Sequence, residues 1–167
     1  CGGEPMLMKS HFQVLDALVL AGKAKHMKLN YVSNMTLWDM DKMEKYTKEF
    51  KFINLQWSCD GLGDRNHYLR YPTKWDETWA NVQAMQEWCR ETGKGIVQAT
   101  YTPSLLSLFK IKEVFAFFEE NGLKERPFTI YNRLENPRFL QVNNLPEPIK
   151  EQIFDDVNSV CESTAKD

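Results

Sequence analysis

The sequence predicts an α/β fold in which parallel strands alternate with helices. Short runs rich in β-branched and aromatic residues take turns with longer runs whose apolar residues recur at helical spacing. Glycines stand where the helical runs stop, at Gly22, Gly93 and Gly122. A chain of 167 residues with 43% hydrophobic and 13% aromatic content is long and apolar enough for one domain with a real core. Strict alternation implies parallel strands joined by right-handed helical crossovers. Periodicity alone leaves a barrel and an open doubly wound sheet equally open.

The elements follow in order. Met8 to Ala21 reads as a helix with Phe12, Leu15, Leu18 and Val19 on one face. "HMKLNYVSN" alternates Met27, Leu29 and Tyr31 and reads as a strand. "TLWDMDKMEKYTKEF" is a helix with Leu37, Met40, Met43 and Tyr46 or Thr47 in line, capped by Asp39 or Thr36. "KFINLQWSCDG" is a strand. "WDETWANVQAMQEWCRETG" is a helix built on Trp79, Val82, Met85 and Cys89. "GIVQATYT" is a strand, "FKIKEVFAFFEENG" a helix and "RPFTIYNRL" a strand. A Pro- and Asn-rich stretch, Asn136 to Pro148, leads into a last helix from about Glu147 to Val160.

Composition excludes several classes. A net charge of −2 advertises no basic surface, so neither nucleic acid nor anionic lipid is an expected partner. No apolar run approaches the roughly 20 residues of a membrane span, and no secretory leader pattern is visible. Cys1, Cys59, Cys89 and Cys161 are too scattered for a zinc or C-x-x-C motif, and scattered thiols fit a reducing cytoplasm, the expected location. His11, His26 and His67 lack ligand-like spacing. Met6, Met8, Met35, Met40, Met43 and Met85 read as apolar fill, and Phe115, Phe117 and Phe118 as helix packing.

In either α/β architecture, ligands bind at the C-terminal ends of the strands. The stretches of interest are therefore "CGGEP", "VSNMT", "WSCDG", "QATYT" and "YNRLE", all more polar than the strands they finish. Gly2 and Gly3 lack Cβ and let a ligand approach the backbone. The Glu4 carboxylate can accept charge-assisted hydrogen bonds from an ammonium group. Pro5 suits the first turn of a helix, so a plain strand-to-helix turn with Glu4 as a first-turn acid is the bland alternative.

Taken in order, Gly2-Gly3-Glu4-Pro5, "YVSNMT", Ser58 to Gly61 ("SCDG") with "DRNHYLRYPTKWDETWANV", and "QATYTPSLLSLFKIKEVFAFFEENG" resemble the radical S-adenosylmethionine (SAM) superfamily, of the kind that carries SPASM or twitch extensions. The resemblance implies a partial (β/α)6 TIM-like barrel, truncated at the N-terminus. Residues 1–134 would be the core, from the end of the second strand to the sixth strand. Residues 135–167 would be a linker and helix leading toward a twitch or SPASM extension. The family's cluster loop, C-x-x-x-C-x-x-C, is not in the chain, so the resemblance places the ligands of its [4Fe-4S] cluster upstream, and the chain alone is expected to be inactive.

The same resemblance implies residue roles. Gly2, Gly3, Glu4 and Pro5 match the motif that holds the SAM ammonium. Ser58 would contact the SAM ribose or carboxylate, and Arg70 the carboxylate, with Arg65 a second candidate. Asn34 would line the mouth near the ribose. Asp60 would serve SAM or substrate, or cap the next helix. Gln98, Thr100 and Tyr101 are candidates for adenine or substrate, and Tyr131 to Leu134, with Arg133, would lie near adenine. Cys59, with no second thiol nearby, is expected to be a half-buried strand cysteine.

The implied activity is reductive cleavage of SAM and abstraction of hydrogen from a substrate, with a peptide or protein as the substrate class and a flavodoxin or ferredoxin as electron donor. The cofactor carries the chemistry, and the barrel supplies position and dryness. Two other readings stand beside it. One is a non-catalytic module that binds a nucleotide-like ligand. The other is a different TIM-barrel enzyme using Glu4 and Asp60 as paired carboxylates, which leaves Gly2, Gly3 and Arg70 without a role.

Overall fold

The computed structural model describes residues 4–123 and 134–164. In chain order the elements are α1 (Lys9–Leu20), β1 (Lys28–Ser33), α2 (Met40–Glu49), β2 (Phe52–Ser58), α3 (Asp64–Leu69), α4 (Trp75–Thr92), β3 (Gly95–Thr100), α5 (Ile111–Glu120) and α6 (Glu147–Thr164). Short 3-10 turns fall at Pro5–Leu7, Ala24–His26, Leu108–Lys110, Arg138–Leu140 and Val142–Asn144. The fold is α/β. The strands form a three-stranded sheet in the order β1-β2-β3. β1 and β2 are parallel, with Leu29 opposite Ile53 and Tyr31 opposite Leu55. The Ile53 N–H bonds the Lys94 carbonyl and the Cys59 N–H the Thr100 carbonyl, so β2 and β3 advance together and are parallel as well.

The chain divides into two compact units, Cys1–Ser58 with Thr73–Gln98, and Cys59–Pro72 with Ala99–Asp167. In the first unit one face of the sheet carries Tyr31, Ser33, Ile53, Leu55, Trp57 and Val97, all buried. Helices α1, α2 and α4 supply Leu15, Met43, Tyr46, Val82 and Met85 to the same core. Each such side chain contributes about 1.5–3 kcal/mol by leaving water. The Trp57 ring stacks on Trp79 of α4 at 5.8 Å, and Trp79 on Trp75 at 6.4 Å. Gly95 is required for this packing: a Cβ there would lie 2.5 Å from the Trp88 ring, 2.8 Å from the Cys89 sulfur and 3.0 Å from the Ile53 carbonyl oxygen. The opposite sheet face carries Lys28, Asn30 and Val32, all exposed, and half-buried Asn54, Ile96 and Gln98. The Asn54 Nδ2 donates to Asn30 Oδ1 at 3.3 Å across this face.

In the second unit Ile111, Val114, Phe115 and Phe118 of α5 are buried, as are Ile153 and Val160 of α6. The Lys112 ammonium meets Asp156 at 2.6 Å, tying α5 to α6. Ser104 and Ser107 cap one another before the Leu108 turn: the Ser104 N–H donates to Ser107 Oγ at 2.9 Å, and the Ser107 N–H to Ser104 Oγ at 3.2 Å. Among the described residues no helix is long and apolar enough to cross a membrane.

Several expectations need correction. Leu37 is 46% exposed and precedes α2, because the helix starts at Met40. Trp38, only 3% exposed, goes inward in its place and packs edge-on against Tyr31 at 5.3 Å. Asp39, not Thr36, is the cap, its carboxylate accepting the Lys42 N–H at 3.1 Å. Met27 falls outside β1 and is exposed. Cys59 is fully buried rather than half-buried and lies one residue past the end of β2. The strand expected at "RPFTIYNRL", residues 126–134, lies outside those described, apart from Leu134, which is in no strand.

Candidate functional site

The chemistry-bearing strand ends lie partly in each unit. In the first, β1 runs out into Ser33-Asn34-Met35-Thr36, and Glu4 reaches this turn. Glu4 precedes the Pro5–Leu7 turn, whose Leu7 N–H bonds the Glu4 carbonyl at 3.1 Å. Pro5 occupies the turn's first position, where its missing N–H costs nothing. The Glu4 Oε1 accepts from the Ser33 hydroxyl at 2.8 Å, and Oε2 from the Asn34 N–H at 3.2 Å. The Ser33 oxygen in turn accepts the Met35 N–H at 2.9 Å. The Asn34 side chain folds back as an Asx turn, its Oδ1 accepting the Thr36 N–H at 2.9 Å. Met35 is in the left-handed region, at φ 64°, and is fully buried. Asn81 of α4 holds it there by donating from Nδ2 to the Met35 carbonyl at 2.8 Å.

The structure thus brings Glu4 and Asn34 together, through the Asn34 backbone. The Asn34 Oδ1 closes the turn. Gly2 and Gly3 lie outside the described residues. Ser58 ends β2 half-buried, and Gln98 is half-buried in β3. Sequence reasoning missed Ser33 and Asn81. Ser33 carried a signal, since its spacing of two from Tyr31 puts it on the buried sheet face.

In the second unit the loop after β2 carries Cys59, Asp60 and Gly61. The Asp60 Oδ1 accepts the Thr102 N–H at 2.8 Å, and its Oδ2 meets the Arg70 Nη2 at 2.7 Å. Asp60 is therefore neither a helix cap nor a free acid, but the counter-ion of Arg70. Burial raises its carboxyl above the usual carboxylate range, while the Arg70 charge and the Thr102 N–H pull the other way. Arg70 closes α3, its own N–H bonding the Asn66 carbonyl at 2.9 Å. Its Nε is buried and has no hydrogen-bond partner among the described residues. Gly61 admits the Arg65 stem: a Cβ at Gly61 would lie 3.0 Å from Arg65 Cγ. Arg65 thus packs beneath the loop.

The Cys59 thiol donates to the Gly61 carbonyl at 3.2 Å, and burial pushes it up to about 12. Thr100 ends β3 half-buried, and Tyr101 is buried edge-on against Phe115 at 5.5 Å. Burial raises the Tyr101 phenol, so it stays protonated. Residues 131–133, including Arg133, and the side chain of Cys161 lie outside the described residues.

Fit to a metal group is decided by the thiols. Cluster ligands must be thiolates. Among the described residues the free thiols are Cys59 and Cys89, fewer than the set of cysteines that holds an iron–sulfur cluster. Among the described residues no three His, Cys, Asp or Glu side chains converge as a metal site requires. The described residues do not fit a [4Fe-4S] cluster. They do offer an oriented carboxylate in one unit and, in the other, a half-buried arginine whose Nε is buried. Comparison with known proteins gives no match, either to a family model or to a curated protein.

Proposed function

We propose that the chain is part of a radical SAM enzyme built on a partial (β/α)6 barrel, and that Glu4 binds the SAM ammonium. One observation carries this reading: the Glu4 carboxylate is fixed at the C-terminal end of a parallel strand by the Ser33 hydroxyl and the Asn34 N–H. A carboxylate has about four acceptor positions, and these bonds use one on each oxygen. A position on each oxygen is left for a cationic donor. Strand C-terminal ends are where α/β sheets bind ligands. Gly2 and Gly3 enter on the motif resemblance alone.

Arg70 is assigned to an anionic group. Asp60 takes one of its nitrogens, and Nε has no hydrogen-bond partner among the described residues. Ser58, Gln98 and Thr100 are half-buried polar groups at strand ends and are proposed, on the resemblance, to serve ribose, adenine or substrate. When bound, SAM supplies carbon-radical chemistry. The residues of this chain bind it, orient it and keep the site dry. In this reading the cluster's thiolates lie outside the described residues, the electron donor is a flavodoxin or ferredoxin, and the substrate is a peptide or protein in a cytoplasmic setting.

The second reading, a nucleotide-like binding module without chemistry, would use the same oriented Glu4 carboxylate. A paired-carboxylate enzyme has less support, because Glu4 and Asp60 are each bonded to local partners.

Titration of SAM into the chain tests the proposal, with Glu4→Gln and Glu44→Gln beside it. Glu44 lies on the exposed face of α2, paired with Lys48 at 2.6 Å, and serves as the control. Losing one charge-assisted bond lowers affinity roughly ten- to hundredfold. That loss is expected for Glu4→Gln and none for Glu44→Gln. Equal affinities would reduce Glu4 to a residue that anchors the first turn.

A further inference from the structure

We infer that Ser33 is the positioning residue of the Glu4 site. The inference rests on the ammonium-binding reading of Glu4 and adds a residue the motif does not contain. Ser33 is a polar side chain only 3% exposed, on the same sheet face as Tyr31. A hydroxyl has one proton to donate. The Met35 N–H donates into the Ser33 oxygen at 2.9 Å. The hydroxyl proton is then directed to Glu4 Oε1, 2.8 Å away.

The direction of that bond is set by the turn. Met35 is held in its left-handed conformation by burial and by Asn81. This is an uncommon state for a residue other than glycine. The Asn34 N–H takes Oε2 from the same turn. Both carboxylate oxygens are thus oriented by the end of β1, and Glu4 presents its remaining acceptor positions in one fixed attitude. Ser33 does not touch the ligand in this arrangement. It acts through Glu4, on the ammonium alone.

The test compares two probes by titration calorimetry: S-adenosylmethionine, and 5′-methylthioadenosine, which keeps the nucleoside and the methyl-bearing sulfur but lacks the ammonium, the carboxylate and the sulfonium charge. The full chain is used with Ser33→Ala, Glu4→Gln and the double variant, and thermal melting verifies folding. Ser33→Ala is expected to weaken SAM about fivefold, close to 1 kcal/mol in affinity, and to leave methylthioadenosine unchanged. In the Glu4→Gln background the Ser33→Ala loss should vanish, because coupled residues are non-additive. Should Ser33→Ala melt below the working temperature, Ser33→Cys, of similar shape with a poorer donor, replaces it under the same expectations.

Equal loss for both probes, an additive double variant, or no loss for SAM would overturn the role of Ser33 while leaving the Glu4 reading in place. A wild-type chain that binds methylthioadenosine but not SAM, or neither probe, overturns the Glu4 reading and Ser33's role with it.

Discussion

Asp60 and Arg70 show how a single contact sets the character of a residue. Each is mostly shielded, with side chains 15% and 24% exposed, and they pair with one another at 2.7 Å. Removing one partner strands the other in a place that water reaches poorly. Asp60→Asn keeps the size and one acceptor for the Thr102 N–H but leaves Arg70 without its counter-ion. It is expected to destabilise the chain by about 1–3 kcal/mol, read as a lower urea midpoint at unchanged slope. An unaltered midpoint would mean that Arg70 already has another anionic partner.

At the scale of elements, the join between α4 and β3 has no slack. Gly95→Ala forces a Cβ against the Trp88 ring, the Cys89 sulfur and the Ile53 carbonyl. A ring can tilt, but a strand carbonyl cannot. Overpacking of this kind costs about 1–3 kcal/mol, and urea unfolding of Gly95→Ala should show it. The join between α1 and β1 is sensitive to pH instead. His11 of α1 lies 3.0 Å from the Tyr31 hydroxyl and packs edge-on against the Phe12 and Tyr31 rings. Burial lowers its pKa, and the Lys42 charge lowers it further. The folded state therefore disfavours the protonated ring. The stability that follows is complete above the ordinary histidine value near 6.5 and is lost as pH falls through the lowered one. Melting temperatures between about pH 7 and pH 5 should fall more steeply for wild type than for His11→Gln; parallel curves would sink the assignment.

For the whole molecule, the question is whether the two units unfold together. The chain passes from one to the other after Ser58, Pro72 and Gln98. β3 itself contributes residues to both units. A strand cannot lose half its ladder without weakening the rest, so a cooperative transition is expected. The tryptophans report on this directly, because Trp38, Trp57, Trp75, Trp79 and Trp88 all belong to the first unit. Tryptophan fluorescence and far-ultraviolet circular dichroism should give coincident urea curves. Asp60→Asn, in the second unit, should shift the fluorescence midpoint as well. Separate transitions would show two independent folding units.

Local pattern was enough to determine the α/β alternation, helices α1, α4 and α5, the stops at Gly22, Gly93 and Gly122, and the polar strand ends. These follow from periodicity and backbone preference, which act over a few residues and are written in neighbouring side chains. Glu4 and Asp60 stood out as acids near the ends of apolar strands, whereas Asn34 and Arg70 entered only through the resemblance to a family motif. Their partners were not legible. That Glu4 meets Ser33, that Asp60 is spent on Arg70 and Thr102, and that Trp38 rather than Leu37 turns inward depend on residues up to 42 apart being brought together. No spacing rule encodes such pairs, because the chain between them can take many paths. Only packing the helices on the sheet selects one path, and with it the bonds that orient each charge.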